Sequence, residues 1–184
     1  YTVTGGGAYC AGTGGLPVGL AGSELGASYT LYRDGILVDA ASGTTAALDF
    51  GLHTVAGVYT ISASIPSTGC AAAMTGSVTI SINPLPNVYS VTGAGGYCVG
   101  GAGLAIGLAS SQAGVDYYMT AAGDALFLLG PVPGTGSTLT FGTFPYAGTY
   151  TVAAVNTTTG CFATMGSAVI VKNALPTAYI VTGG

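Results

Sequence analysis

The chain repeats itself, and the length of the repeat limits what it can fold into. Tyr1-Thr-Val-Thr-Gly-Gly-Gly-Ala-Tyr-Cys10 returns as Tyr89-Ser-Val-Thr-Gly-Ala-Gly-Gly-Tyr-Cys98, and residues 1–32 match residues 89–120 at half of their positions without a gap. Gly57-Val-Tyr-Thr-Ile through Cys70 returns as Gly148-Thr-Tyr-Thr-Val through Cys161, and Asn83-Pro-Leu-Pro86 as Asn173-Ala-Leu-Pro176. Tyr179-Ile-Val-Thr-Gly-Gly184 then opens the pattern a third time. A unit of about 90 residues can bury its own core, whereas a solenoid repeat of about 20–45 residues needs its neighbours. The boundaries follow: repeat 1 over 1–86, repeat 2 over 87–176, and 177–184 as the first strand of a third repeat or a strand to be donated. The prolines at the junctions fix φ and suit short, stiff spacers.

Inside each unit the pattern is that of strands. Tyr59-Thr-Ile-Ser-Ala-Ser-Ile65 and Val78-Thr-Ile-Ser-Ile82 alternate apolar and polar residues with period two, as strands with one buried face do. Similar runs lie near 1–4, 16–21, 28–33, 36–39 and 46–50, separated by turn material such as Arg33-Asp-Gly35. No capped stretch shows a helical stripe. About seven short strands in about 90 residues predict an all-β chain of two tandem immunoglobulin-like β-sandwiches. Tyr59 and Tyr150, each in an Ala-Gly-x-Tyr-Thr context, resemble the tyrosine corner of such domains, in which the hydroxyl turns back onto the backbone.

Composition removes several functions. Two basic and six acidic residues, net charge −4, cannot neutralise a phosphate backbone, so nucleic acid is excluded as a partner. The same scarcity leaves no basic cluster for an anionic membrane surface. Membrane insertion is not expected either, because Gly, Ser, Thr or Asp interrupts every stretch of spanning length. High hydrophobicity with low charge opposes disorder. The chain begins at Tyr1 within a strand pattern and reads as a mature or excised portion of something longer.

Cys10 and Cys70 recur as Cys98 and Cys161. One pair per unit favours Cys10–Cys70 and Cys98–Cys161, one disulfide in each sandwich, over the other two connectivities. Zinc is the poorer reading, with no Cys-x-x-Cys and one His in the chain. Persistent disulfides place the protein outside the cytosol, extracellular or at a cell surface. The cysteines fall past strand F, in Gly-Cys loops, so the bridge is expected to staple one end of each sandwich. Closing a loop of that length would stabilise by about 4 kcal/mol and would shield the enclosed residues from a pull on the chain ends.

Catalytic chemistry finds no material. His53 has Phe144 as its counterpart and is expected on the surface or in a loop; no Gly-x-Ser-x-Gly elbow accompanies it. The glycine runs lack the lysine and capped helix of a phosphate cradle. The acids do not recur: Asp34 aligns with Ala122, Asp49 with Thr140, Glu24 with Gln112. An irregular calcium site at Asp34 and Asp39 is the one metal candidate left, and no cofactor is expected. Asn156-Thr-Thr158 fits the N-glycosylation pattern.

One asymmetry points to an assembly face. The outward set after Tyr59 is Thr60, Ser62 and Ser64, and its counterparts are Thr151, Ala153 and Val155; on the last strand Thr79 is set against Ile170. Ala153, Val155 and Ile170 would then form an apolar outer face in the second unit.

The Tyr-x-Val-Thr-Gly-x-Gly-x-Tyr-Cys opening, the Ala-Gly-x-Tyr-Thr strand and the Thr-Gly-Cys loop resemble immunoglobulin-like repeats of very large secreted bacterial surface proteins of the Bacteroidota type. The resemblance covers both units and implies stalks, adhesins and extracellular fibres, not enzymes. The expected role is a structural, load-bearing repeat whose partners are copies of itself or adjacent repeats. Tyr179, Ile180 and Val181 would be available for strand donation to a neighbour. The alternative is a glycan- or protein-binding module using clusters such as Tyr117-Tyr118 or Tyr32-Arg33-Asp34.

Overall fold

The computed structural model describes residues 1–180, all in strands, turns and irregular segments. The chain divides into two units between Pro84 and Leu85. The strands of the first are β1 (Val3–Gly5), β2 (Gly7–Cys10), β3 (Leu16–Leu20), β4 (Ser28–Arg33), β5 (Ile36–Ser42), β6 (Leu48–His53), β7 (Gly57–Ile65), β8 (Cys70–Ala73) and β9 (Val78–Asn83). One sheet has the order β1-β3-β6 and the other β2-β9-β7-β4-β5, with β8 paired to the far half of β7. The second unit has β10 (Val91–Thr92), β11 (Gly95–Cys98), β12 (Leu104–Leu108), β13 (Val115–Gly123), β14 (Phe127–Pro133), β15 (Leu139–Phe144), β16 (Gly148–Asn156) and β17 (Phe162–Asn173). Its sheets run β10-β12-β15 and β11-β17-β16-β13-β14, so one long strand replaces both β8 and β9.

Each unit is an immunoglobulin-like sandwich: strands B and E in one sheet, G, F, C and C′ in the other, and a first strand divided between them. The division explains the glycines of the opening motif. β1 pairs antiparallel with β3, and two residues later β2 pairs parallel with β9. The crossing needs positive φ at Gly5 (97°), and a Cβ there would lie 2.0 Å from the Pro17 carbonyl oxygen. Gly93 repeats the arrangement, with φ 99° and a Cβ position 1.9 Å from the Ala105 carbonyl oxygen. Only glycine fits a site that is both left-handed and closed.

Alternation along the strands then builds two separate cores. Val18, Leu20, Leu31, Tyr59, Ile61 and Ile80 fill the first; Ile106, Leu108, Met119, Tyr150, Val152 and Ile170 are central to the second. Each such side chain contributes roughly 1.5–3 kcal/mol by leaving water.

Two expectations from the sequence are corrected here. Ile170 is not on an outer face: it is 1% exposed and pairs with Gly148 as Ile80 pairs with Gly57. The outward counterpart of Thr79 is Val169, which is 48% exposed. The repeat offset shortens by one between strands F and G, and a slip of one residue turns every side chain of a strand to the opposite face.

The second correction concerns the cysteines. Cys70 and Cys98 are free thiols, whereas Cys10 and Cys161 are disulfide-bonded. Cys10–Cys70 and Cys98–Cys161 are therefore not the bridges, and the expected shielding of the residues between them falls with the pairing. The register shows why. Cys10 pairs with Asn83, three residues beyond the Ile80–Gly57 pair, which sets it level with Thr54, three residues before strand F (β7) begins at Gly57. The Tyr9 hydroxyl donates to the Thr54 carbonyl at 2.6 Å and confirms the level. Cys70 pairs with Ile65. Eleven steps of about 3.3 Å separate the two by roughly 36 Å, against about 7 Å at most between the Cα atoms of a disulfide. Cys98, paired with Asn173, and Cys161, whose carbonyl accepts from the Asn156 amide, are set apart in the same way. The cysteines of a unit occupy its opposite ends.

Candidate functional site

The residues that recur between the units hold backbone. Tyr59 donates its hydroxyl to the Val55 carbonyl at 2.8 Å, and Tyr150 donates to the Tyr146 carbonyl at 2.8 Å, the tyrosine-corner bond. Tyr29 and Tyr117 accept from the amides of Glu24 and Gln112, each at 2.9 Å. Tyr97 donates to the Pro145 carbonyl as Tyr9 does to Thr54. The buried Ser23 and Ser111 hydroxyls donate to the carbonyls of Ala46 and Ser137. Burial pushes the Tyr117 and Tyr150 hydroxyls above the ordinary phenol range, which keeps their protons in place. Tyr9, Tyr29, Ser23 and their counterparts were missed by sequence reasoning, although their recurrence in the opening alignment was a signal available to it.

The cysteines recur too, but in two chemical states. At the end where the chain enters a unit, Cys70 opens β8 and Cys161 lies just before β17, in corresponding places after the turn that follows strand F. The Cys70 amide donates to Thr68 Oγ1 and the Cys161 amide to Thr159 Oγ1, both at 3.3 Å. The Met74 sulfur lies 4.0 Å from the Tyr1 amine, and the Met165 sulfur accepts from the Tyr89 amide at 3.4 Å. Yet Cys161 is 1% exposed and oxidised, while Cys70 is an exposed thiol. Cys70 borders an open cavity of about 420 Å³ lined also by Tyr1, Tyr29, Ile65 and Met74. At the exit end, Cys10 and Cys98 share a geometry: the next amides, Ala11 and Val99, both donate to the Asn83 and Asn173 carbonyls at 2.9 Å. There Cys10 is oxidised and Cys98 is an exposed thiol.

The other candidates do not converge. His53 ends β6 rather than lying in a loop, and its ring packs 5.0 Å from that of Tyr59, much as Phe144 packs 5.2 Å from Tyr150. Its Nε2 is buried without a hydrogen-bond partner among the described residues. Asp34 Oδ1 accepts from the Val58 amide at 2.9 Å, and Asp39 Oδ1 from the Ala40 amide at 2.7 Å, so each serves local backbone. Among the described residues no group of three His, Cys, Asp or Glu side chains is placed to hold a metal. Tyr117 is fully buried, which removes it from the Tyr117-Tyr118 cluster; Tyr118, Tyr32 and Arg33 are half-buried. Ala153 and Val155 are half-buried on β16, and Val155 pairs with Phe162, which is 66% exposed. Tyr179 and Ile180 are exposed and belong to no strand, and Val181 lies outside the described residues. Asn156 Oδ1 accepts from the Thr158 and Thr159 amides at the turn after β16. No helix among the described residues is long and apolar enough to cross a membrane.

No protein-family model and no curated protein matches the chain. Among solved structures it is similar to the fibronectin(III)-like modules of Clostridium thermocellum CbhA, at 13% identity and a TM-score of 0.43 over 98% of this chain and 100% of that one. It is also similar to murine CEACAM1b, at 14% identity and a TM-score of 0.41 over 93% and 100% of the two chains. A third likeness, to a structure of a mouse coronavirus receptor-binding domain with its murine receptor, has 14% identity and a TM-score of 0.44 over 91% and 98%. At such values these likenesses carry nothing about function, and the immunoglobulin-like assignment stands on the strand order of the chain itself.

Proposed function

We propose that the protein is a non-catalytic structural repeat of an extracellular bacterial filament or adhesin stalk, extending from the cell surface and bearing load. One observation carries this reading: apart from the cysteines, the side chains that recur between the units are those that tie down backbone, while His53, Glu24 and Asp49 have counterparts of different chemistry. Tyr9, Tyr29, Tyr59 and Ser23 make the same bonds as Tyr97, Tyr117, Tyr150 and Ser111. His53 gives way to Phe144, Glu24 to Gln112 and Asp49 to Thr140. Duplication that keeps the frame while the histidine and these acids change suits a part used many times for its shape. Tyr179-Ile-Val-Thr-Gly-Gly184, a copy of the opening strand, would begin the next unit, within a longer array or by strand addition to the next copy. Electron microscopy of native material tests the reading. Unbranched fibres built of this chain are the expected result, and a dispersed monomer that binds a glycan or protein ligand would replace it with the adhesion-module alternative.

A further inference from the structure

We propose that Cys70 and Cys98 are matched linkage sites, through which the exit end of one copy is joined to the entry end of the next by a disulfide. The inference rests on the reading of the chain as a filament repeat.

The positions are complementary. Cys70 lies at the end where the chain enters its unit, beside Tyr1, whose carbonyl accepts from the Thr75 amide at 2.9 Å. Cys98 lies at the end where the chain leaves its unit, paired with Asn173, the last residue of β17. In a head-to-tail succession an exit end meets an entry end, so a thiol of the Cys98 kind meets one of the Cys70 kind. Two of the same kind do not meet.

The chain itself supplies the second observation. The exit-end cysteine of the first unit, Cys10, and the entry-end cysteine of the second, Cys161, are the two that are oxidised. They are the repeat counterparts of Cys98 and Cys70. Cys70 and Cys98 are the exposed thiols, one at the entry end of its unit and the other at the exit end of its own, and another copy would supply the partner of each. The entry end is also open there: the cavity of about 420 Å³ beside Cys70 is lined by Tyr1, Tyr29 and Met74. Val99, next to Cys98 and 47% exposed, is the apolar side chain at the exit end that the second copy would offer to it.

The chemistry is thiol–disulfide exchange with a small-molecule disulfide, such as oxidised glutathione, as the oxidant. The Cys98 thiolate attacks one sulfur of the oxidant, forming a mixed disulfide and releasing one equivalent of the reduced small thiol. The Cys70 thiolate of the next copy then attacks the Cys98 sulfur and releases the second equivalent. Two protein thiols become one disulfide, and two electrons pass to the oxidant.

The test uses the full chain with Cys10 and Cys161 intact, as the variants Cys70→Ser and Cys98→Ser. Under oxidised glutathione the wild type should form a covalent ladder on a non-reducing gel, and each variant alone should stay largely monomeric. Mixed, the two variants should give a covalent dimer and nothing larger, exceeding either homodimer several-fold. Homodimers in the proportion of random pairing would overturn the proposal, as would a wild-type monomer that has lost both thiols or carries glutathione on both. Microscopy of the same samples separates this failure from that of the filament reading. Fibres that persist when Cys70→Ser and Cys98→Ser are combined in one chain sink the linkage and leave the filament, whereas a specific mixed dimer with no fibres from the wild type upholds the linkage alone.

Discussion

At the scale of the residue, the phenol hydroxyls are the test of what the repetition means. Tyr59 and Tyr150 each hold a carbonyl four residues upstream at 2.8 Å. Removing the hydroxyl leaves that carbonyl short of a partner in a partly buried setting, at a cost of about 0.5–1.5 kcal/mol. Tyr59→Phe should lower the stability of the first unit by that amount and Tyr150→Phe that of the second, while Tyr32→Phe stays near neutral; urea melts of the three variants check this. His53 predicts the opposite sign. Its Nε2 is buried and unpaired among the described residues, and Phe144 fills the corresponding place against Tyr150. His53→Phe should therefore stabilise the first unit by about 1 kcal/mol, and an unchanged or lower melting midpoint would refute that account. The corner tyrosines were legible from their Ala-Gly-x-Tyr context. Tyr29 was missed although it recurs as Tyr117, because no neighbouring residue type marks its bond to the Glu24 amide, and that side chain changes to glutamine in the second unit without affecting the bond.

Among the elements, legibility followed alternation. β7 and β9 read as strands because every second residue from Tyr59 and from Val78 is apolar, with Tyr59, Ile61 and Ile80 buried. β2 and β8 carry no such pattern: Gly7-Ala-Tyr-Cys10 and Cys70-Ala-Ala-Ala73 are strands because β9 and β7 offer them a free edge. Missing those two short strands put both cysteines in loops at one end, and the wrong pairing followed. The switch between β1 and β2 gives a sharp substitution test. Gly5→Ala meets the Pro17 carbonyl at a positive φ, so it should cost more than about 1 kcal/mol, whereas Gly14→Ala, with open space around it, should cost far less. A second element-scale device ties the β13–β14 turn to β17: Lys172 Nζ lies 2.9 Å from Asp124 Oδ2. The Lys172 hydrogen bond, helped by the Ala147 amide, holds the Asp124 carboxyl below its ordinary range, and the same bond raises Lys172. The contribution of Asp124 is present above the ordinary carboxylate pKa and lost as pH falls through its lowered folded-state value. That of Lys172 is present below the ordinary lysine pKa and lost as pH rises through its raised value. Lys172→Met should therefore flatten the acid limb of the stability profile of the second unit, by a small amount because both groups face water.

For the whole molecule, the scarcity of charge separates two properties that usually move together. Among the described residues Lys172–Asp124 is the one salt bridge, and it is exposed, so folding stability draws on buried side chains and backbone hydrogen bonds that salt screens little. Solubility depends instead on a net charge of −4 spread over 184 residues, and on a surface that exposes Leu25, Leu126, Phe162 and Ile180 among other large apolar groups. Acidification that protonates a few of the six carboxylates brings the net charge to zero, and near-zero charge promotes association. The chain should therefore precipitate or assemble in mild acid while its far-UV circular dichroism still shows intact sheet. Raising salt at neutral pH should move the thermal midpoint little and increase light scattering. Loss of sheet signal before any rise in scattering would show that the few charges hold the fold itself. If scattering rises first, the fold is indifferent to its surface charge and association is what that charge restrains.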